Sequence, residues 1–192
     1  MALPYTFAEP LRTPRLAIRA ITAADVDDLH AFQSDPEVCR YLPFAPRTRD
    51  EVVEKVAKFS RALTLAGDGD FWQLAIERAE APGAIGDLYF CLKGPGAEIG
   101  WALHPDHAGR SYMTEAASAL IDLAFGTLAR HRVFARLDPR NAASAALCRR
   151  LGMRREAHFV EDIWFKGEWG DTAVYAVLDR EWRAGTPGAR AF

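Results

Sequence analysis

Two spacings of apolar residues alternate along the chain, and each predicts one kind of element. Helical spacing is clearest in a series that recurs at i, i+3, i+4, i+7 and i+8, which predicts one long amphipathic helix. The series is Met113, Ala116, Ala117, Leu120, Ile121, Ala124 and Leu128. Weaker patterns predict a helix that begins at Thr22, a second at about 49–65 and a short one at 141–151.

Period-two alternation and short apolar runs between turn residues predict seven strands. The clearest turn between two of them is Gly94-Pro95-Gly96. The predicted strands are 14–20, 71–78, 83–92, 97–104, 131–137, 154–165 and 172–178. Runs of strands punctuated by helices indicate the α/β (α+β) class, with one mixed sheet and helices on its faces.

Composition narrows the classes of function. The chain has 192 residues, of which 49% are apolar and 26% charged, as in one ordinary globular domain. We expect a single domain over residues 1–192, with a frayed tail at 185–192. The formal net charge of −2 argues against a nucleic-acid-binding surface. Apolar runs are too short to predict a membrane span.

The cysteine and histidine spacings contain no metal-binding motif. Cys39, Cys91 and Cys148 are far apart in the sequence, and the histidines form no HExxH motif. We therefore expect free thiols and no metal. The beginning of the chain lacks the apolar run of a secretory signal, so a cytoplasmic location is expected.

The segment from Glu98 to Ala116 combines a predicted strand, a loop that contains proline, and the start of the long helix. The first turn of a helix presents backbone N–H groups without intrahelical partners, at the positive end of the helix dipole. Such a turn can bind phosphate or pyrophosphate. Every junction of this kind has the same feature, so a purely structural connection is the alternative interpretation.

Short motifs occur in a fixed order over about residues 11–183. They are Thr13-Pro14-Arg15-Leu16; Glu98-Ile99-Gly100-Trp101-Ala102-Leu103-His104-Pro105; Gly109-Arg110 with Tyr112, Thr114, Glu115 and Ala116; His131-Arg132-Val133-Phe134-Ala135; Asp138-Pro139-Arg140-Asn141 with Ser144; Leu151-Gly152-Met153-Arg154 with Glu156; and Gly167-Glu168-Trp169-Gly170-Asp171 with Tyr175. In this order they resemble the RimJ/RimL-like branch of the GNAT superfamily of N-acetyltransferases.

The resemblance implies the GNAT fold, a single mixed and mostly antiparallel seven-stranded sheet with helices on both faces. It also implies acetyl-CoA as cosubstrate, with its arm between two strands that splay apart near His104 and Leu137. The residues that it implies for cofactor binding are Trp101, Ala102, Leu103, Gly109, Arg110, Ser111, Tyr112, Met113, Thr114 and Asn141.

The phosphate loop departs from the superfamily pattern Q/R-x-x-G-x-G/A at Ala108, Ser111 and Met113. Backbone donors survive such substitutions, but Ser111 costs about 1 kcal/mol if its φ is positive. Met113 could crowd a close approach of the cofactor to the backbone. This departure motivates an alternative function, a CoA-binding or regulatory module that catalyses little or nothing.

Acetyl transfer to an amine needs a base for the amine and a proton for the leaving thiolate. The resemblance implies Glu98, on the strand before the phosphate loop, as the general base. Glu161, on a later strand, is the rival candidate. A carboxylate with a structural role is the alternative for each.

Asn141 and Ser144 lie where the short helix begins. Asn141 suits an N-cap, which is worth about 1 kcal/mol. The resemblance makes Asn141 a cofactor contact and Ser144 the hydroxyl that protonates or hydrogen-bonds the thiolate. An amide can serve as cap and as ligand at once, because its oxygen and its nitrogen are separate groups.

The acceptor implied by the resemblance is a primary amine, and a protein N-terminus is the case that the RimJ/RimL-like branch suggests. A small amine such as a polyamine or an aminoglycoside is the alternative, because acceptor specificity lies in loops that vary within one fold. The sequence leaves the oligomeric state open, a homodimer included.

Overall fold

The computed structural model describes residues 3–185. Its strands are β1 (Tyr5–Thr6), β2 (Leu11–Arg12), β3 (Leu16–Ala20), β4 (Thr64–Leu65), β5 (Phe71–Arg78), β6 (Ala81–Lys93), β7 (Gly96–Leu103), β8 (Arg132–Leu137), β9 (Arg154–Phe165) and β10 (Glu168–Leu178). Its α-helices are α1 (Val26–Gln33), α2 (Pro36–Cys39), α3 (Arg49–Phe59), α4 (Tyr112–Gly126), α5 (Ala142–Arg150) and α6 (Asp179–Arg183). In this part of the chain, no helix has both the length and the apolar character needed to cross a bilayer.

Most strands join one mixed sheet in the order β2-β3-β5-β6-β7-β8-β10-β9. All neighbours in it are antiparallel except β7 and β8, which run parallel. A parallel pair needs a crossover connection. Here α4 supplies that connection, since it follows β7 and precedes β8. The expected class, a mixed and mostly antiparallel sheet with helices, is confirmed.

The prediction of a single seven-stranded sheet is wrong in its count. The seven predicted strands correspond to β3 and β5–β10, but β2 adds an eighth strand at the edge beside β3. A separate two-stranded sheet joins β1 to β4. Each of β1, β2 and β4 has two residues, too few to show a period in the sequence. The predicted tail begins at Gly185, and residues 186–192 lie outside the described part.

The predicted helix at 49–65 is shorter than expected. A capping box begins α3, since Thr48 N–H donates to Glu51 Oε2 at 2.7 Å. The helix ends at Phe59, and Leu65 belongs to β4, where it pairs with Tyr5. The pairing of β4 with β1 therefore takes residues that the apolar spacing had assigned to the helix.

Apolar residues pack on both faces of the large sheet. Alternate residues of a strand point to opposite faces. Leu74 and Ile76 of β5 belong to a core cluster with residues of α4 and α5, whereas Ala75 belongs to a second cluster with residues of α1 and α3. Two layers of helices thus cover the sheet, α4 and α5 on one face and α1 and α3 on the other.

The parallel pair β7 and β8 separates along its length. Pairing covers only three positions, from Gly96 opposite Arg132 to Glu98 opposite Phe134. Beyond them, β7 continues to Leu103 and β8 to Leu137 without further pairing to each other. The expected splay of these two strands is confirmed, and it leaves a gap in the middle of the sheet.

Candidate active site

A cleft of about 440 Å³ lies where β7 and β8 part. Its walls come from β5–β8, from the beginning of α5, from α3 and from the segment after α2. The residues that line it are Tyr41, Leu42, Pro43, Phe44, Arg47, Lys55, Phe59, Gln73, Asp87, Tyr89, Glu98, Ile99, Gly100, Trp101, Ala102, Ala135, Arg136, Leu137, Asn141 and Ser144. Five of the predicted site residues are among them: Glu98, Trp101, Ala102, Asn141 and Ser144.

The hydroxyl of Ser144 is held by its neighbours on one side of the cleft. Trp101 Nε1 donates to Ser144 Oγ at 3.2 Å, and an indole nitrogen is only ever a donor. The Ser144 oxygen therefore acts as acceptor in this contact, which leaves its own proton free for another group. Asn141 Oδ1 accepts the Ser144 backbone N–H at 3.0 Å, so Asn141 is the expected N-cap of α5.

The loop before α4 has an unusual backbone. Gly109 and Ser111 have φ values of +74° and +60°, in the left-handed region. Ser111 directly precedes the first residue of α4, and its side chain makes no capping hydrogen bond. Within residues 3–185, the backbone N–H groups at 109–114 have no acceptor. Four of them belong to the boundary and first turn of α4, where a helix dipole favours an anion.

Two arginines brace this loop from neighbouring elements. Arg15 pairs with the buried carboxylate of Glu115 at 2.5 Å and donates to the Arg110 carbonyl at 3.1 Å. Glu115 also accepts from the Thr13 hydroxyl at 2.6 Å. Arg150 of α5 donates to the Thr114 hydroxyl at 3.2 Å. The start of β3, the loop and the helix α5 are thus tied together around the N-terminus of α4.

Glu98 lies on the opposite side of β7 from Trp101, because the two are three residues apart in one strand. It is half-buried, and within residues 3–185 its carboxylate has no hydrogen bond or ion pair. The nearby Tyr89 has a pKa raised by burial, by its hydrogen bond with Cys91 and by the charge of Glu98. Its phenol therefore keeps its proton, and an unpaired carboxylate lies beside it in the cleft.

Glu161 has a different environment. It lies on the exposed edge strand β9 at a positive φ of +50°, in an irregular stretch of the pairing with β10. Its N–H donates to Asp171 Oδ1 at 2.9 Å, and it is not among the residues that line the cleft. The two candidate bases are therefore not brought together.

The face of β6 and β7 that carries Glu98 also holds a buried charge network that the sequence did not suggest. Lys55 Nζ lies 2.9 Å from Asp87 Oδ2, and both side chains are less than a tenth exposed. Gln33 and Gln73 donate to the same oxygen at 2.9 and 3.0 Å. Buried charges need such partners. The sequence did contain a sign of these buried charges. Lys55 falls within the apolar stripe of α3, and Asp87 falls within the apolar run of β6.

Arg47 completes this side of the cleft. Its Nη1 donates to Gln33 Oε1 at 2.9 Å, and its guanidinium carbon lies 3.9 Å from the centre of the Phe44 ring. Burial lowers the pKa of Arg47 from its ordinary value, although the charge of Asp87 opposes that effect. Among the described residues, Arg47 forms no salt bridge.

The fold and the site define a class of enzyme. A helix N-terminus free to bind phosphate stands next to a gap in a sheet, and a hydroxyl and a carboxylate meet that gap from opposite faces. Such a site suits transfer of an acyl group from a phosphate-bearing carrier to an acceptor on the other side.

Comparison with known proteins agrees with this class. The acetyltransferase (GNAT) domain family matches residues 15–154. YnaD, an uncharacterised N-acetyltransferase of Bacillus subtilis (strain 168), is 32% identical over 176 residues, which cover 90% of this chain and 98% of YnaD. A crystal structure of a GNAT-family acetyltransferase from Bacillus anthracis matches with a TM-score of 0.81 at 28% identity, over 90% of this chain and 99% of that one. The ribosomal protein uS5-alanine N-acetyltransferase of Escherichia coli (strain K12) is 30% identical over 90 residues, 47% of this chain and 45% of that protein.

The chain belongs to the acetyltransferase (GNAT) family. It is an N-acetyltransferase that uses acetyl-CoA as its cosubstrate and an amine as its acceptor.

Proposed function

We propose that acetyl-CoA binds with its pyrophosphate at the backbone N–H groups of residues 109–114 and its arm in the gap between β7 and β8. The free N–H groups at the start of α4 and the nearby Arg15 and Arg150 support this. Their chemistry fits a pyrophosphate, which prefers helix N-termini and cations. When bound, the cofactor supplies an activated acetyl thioester.

Glu98 is the general base in this proposal. A protonated amine cannot attack a carbonyl, so a carboxylate must take its proton directly or through one water. Glu98 lines the cleft without an ion pair among residues 3–185, whereas Glu161 lies on an exposed strand outside its lining. We therefore favour Glu98 over Glu161.

Ser144 supplies the proton on the other side of the sheet. Its oxygen already accepts from Trp101, so its O–H remains available to donate to a further acceptor. A thiolate sulfur that leaves the thioester is such an acceptor. Trp101 and Asn141 would hold this hydroxyl in place, through the indole N–H and through the cap that fixes the first turn of α5.

The acceptor that we propose is a primary amine at a protein N-terminus, as in the RimJ/RimL-like branch. The ordered motifs support this branch, and so does the partial identity with the enzyme that acts on the alanine of ribosomal protein uS5. A small amine is the second candidate. The observation that carries the reaction itself is the position of Glu98 and Ser144 on the two faces of the same gap.

We propose the cytoplasm as the place of action. Cys39, Cys91 and Cys148 are buried and unpaired. Unpaired thiols are the ordinary state of cysteine in a reducing compartment.

The test is a screen for thiol release from acetyl-CoA with peptides, polyamines and aminoglycosides as acceptors. We expect release with peptides that have a free N-terminus and none with the same peptides after N-terminal blocking. Binding of acetyl-CoA is measured in parallel as a shift in melting temperature. A shift without thiol release for any amine would contradict catalysis and leave a regulatory CoA-binding module.

A further inference from the structure

We infer that the acceptor of this enzyme carries a carboxylate in addition to its amine, and that Arg47 binds this carboxylate. The inference rests on the proposed reaction in the same cleft and narrows its acceptor class. It favours amino-carboxylates, either free amino acids or peptides with an acidic group close to the N-terminus, over polyamines and aminoglycosides.

The charges of the cleft are the starting point. The carboxylate of Asp87 is balanced by Lys55 at 2.9 Å, and Arg136 faces Asp162 at 3.7 Å. Two charged lining residues are left without an opposite partner in the described part of the chain, Glu98 and Arg47. The cleft therefore offers one carboxylate and one guanidinium to a ligand, which complements an ammonium and a carboxylate in one molecule.

Arg47 is held in place by hydrogen bonds, and it has no salt bridge within the described part of the chain. Gln33 is fully buried, and it accepts from Arg47 twice, at its backbone oxygen and at Oε1, each at 2.9 Å. The amide nitrogen of Gln33 donates to Asp87, which fixes the orientation of the amide. The guanidinium is thus positioned by a network whose own charges are already balanced by Lys55.

The free edge of Arg47 has the geometry for a carboxylate. A guanidinium has five N–H donors in one plane, and only one side-chain nitrogen of Arg47 has a partner, through Nη1. The guanidinium carbon of Arg47 lies over the Phe44 ring, 3.9 Å from the ring centre. The remaining side-chain donors of Arg47 have no hydrogen-bond partner among the described residues. Such a fork of donors matches a carboxylate with two parallel hydrogen bonds.

The same charges disfavour the alternative acceptors. A polyamine brings a second ammonium into a cleft that already contains Arg47 and Lys55. The charge of Asp87 is already balanced by Lys55 at 2.9 Å, so it adds little net attraction for a second ammonium. Like charges in a partly desolvated cleft repel more strongly than in water. An amino-carboxylate meets neither obstacle.

The experiment compares acceptors that differ only in one carboxylate. The first set is glycine, alanine and glutamate against their carboxyl amides. The second set is hexapeptides, amidated at the C-terminus, with Glu or Gln at the second or third position. Spermidine is the polyamine probe. We expect wild-type kcat/KM to be higher for the carboxylate member of at least one set by about 10-fold to 100-fold, the range for a charge-assisted hydrogen bond.

Variants then assign the effect to Arg47. Arg47→Gln should lose that preference while the KM for acetyl-CoA stays within about twofold, and Arg47→Lys should retain part of it, since it keeps the charge but not the fork. Arg49→Gln is the matched control. Arg49 is exposed, pairs with Asp27 at 2.9 Å and does not line the cleft, so its removal should leave the preference intact.

The outcomes separate this inference from the proposed function. Equal kcat/KM for carboxylate and amide members in the wild type, or spermidine as the best acceptor, would overturn the role of Arg47 and leave the acetyl transfer standing. The same follows if Arg47→Gln weakens both members equally. Absence of thiol release with every amine would instead overturn the proposed function. If a variant fails to fold, the comparison of carboxylate and amide acceptors with the wild-type enzyme still tests whether the acceptor carries a carboxylate.

Discussion

Ser111 has its backbone in the left-handed region, at φ +60°, directly before the first turn of α4. A residue with a Cβ is strained there by about 1–2 kcal/mol, and glycine is not. The Ser111 side chain is exposed and makes no capping hydrogen bond that would offset the strain. The departure of this loop from the superfamily pattern is therefore a local cost in stability.

Replacing Ser111 by glycine should relieve this strain. We expect Ser111→Gly to raise the free energy of unfolding by roughly 0.5–1 kcal/mol and not to weaken acetyl-CoA binding. Chemical denaturation and calorimetric titration check the two parts. Ala129→Gly is the control, because Ala129 also has a positive φ, +51°, but lies after α4 and outside the loop that precedes it. It should gain stability without any change in affinity, whereas a loss of stability in Ser111→Gly would contradict the strain assigned to Ser111.

The two candidate bases can be compared on one acceptor. Glu98→Gln should lower the rate by about 10²–10⁴-fold and abolish the fall of activity toward acidic pH, because the variant has no carboxylate to protonate. Glu161→Gln should change neither, as it is exposed on β9. Steady-state rates across a pH range provide the measurement. If only Glu161→Gln alters the rate and the pH profile, the assignment of Glu98 is wrong.

Removal of the Ser144 hydroxyl should affect turnover more than binding. We expect Ser144→Ala to lower kcat by about 10²-fold, because the proton is needed as charge develops on sulfur, with little change in acetyl-CoA affinity. Trp101→Phe is the companion variant. It removes the 3.2 Å hydrogen bond to Ser144 but keeps the hydroxyl, so its effect on kcat should be smaller. Unchanged kcat in Ser144→Ala would leave Ser144 a structural role only.

At the scale of elements, one ion-pair network joins β3, β5 and the turn before α1. Arg19 of β3 binds Asp25 with two nitrogens, at 2.7 and 2.8 Å, and Glu77 of β5 at 2.5 Å. Asp25 is buried and also accepts the Thr22 N–H at 2.7 Å. Burial raises the pKa of Asp25, but the hydrogen bonds and charge of Arg19 and the Thr22 N–H outweigh it, so the net pKa lies below the ordinary 3.8.

This lowered pKa gives a stability that depends on pH. A carboxylate whose pKa is lower in the folded than in the unfolded protein stabilises the fold at pH values above its unfolded pKa. This contribution is lost as the pH falls through its pKa in the folded protein. Asp25→Asn should cost roughly 2 kcal/mol at neutral pH, with the difference from wild type shrinking as the pH falls below 3.8. Urea denaturation at several pH values checks this. Asp27→Asn is the control, since Asp27 is exposed and should cost less than about 1 kcal/mol. A constant difference down to low pH would contradict the linkage.

Elements with a strong period were predictable, whereas contacts between distant segments were not. The stripe from Met113 to Leu128 predicted α4, and Gly152 marks the end of α5 with a φ of +70°. The proposed cofactor half of the site was inferred from that one strand–loop–helix segment. The acceptor half does not, because Lys55 and Asp87 are 32 residues apart and meet only when α3 packs on β6. The spacing of residues within one element does not predict which residues of a distant element it will contact.

At the scale of the whole molecule, the two faces of the sheet carry different parts of the site. The hydroxyl of Ser144 is on the side of α4 and α5, and the network around Asp87 is on the side of α1 and α3. In the proposed function, the cosubstrate approaches from the first side and the acceptor from the second. They meet at the gap between β7 and β8.

The short pairing of β7 with β8 also bears on how the protein opens. Strands β7 and β8 pair at three positions. Within the described sheet, only the edge pair β2 and β3 has fewer, with two. Local opening in native proteins follows lines with few backbone hydrogen bonds. Amide hydrogens next to this seam should therefore exchange with solvent sooner than those of β5 and β6, which pair along most of their length. A molecule that spans the seam would join the two halves of the sheet, and its binding would appear as slower exchange on both sides at once.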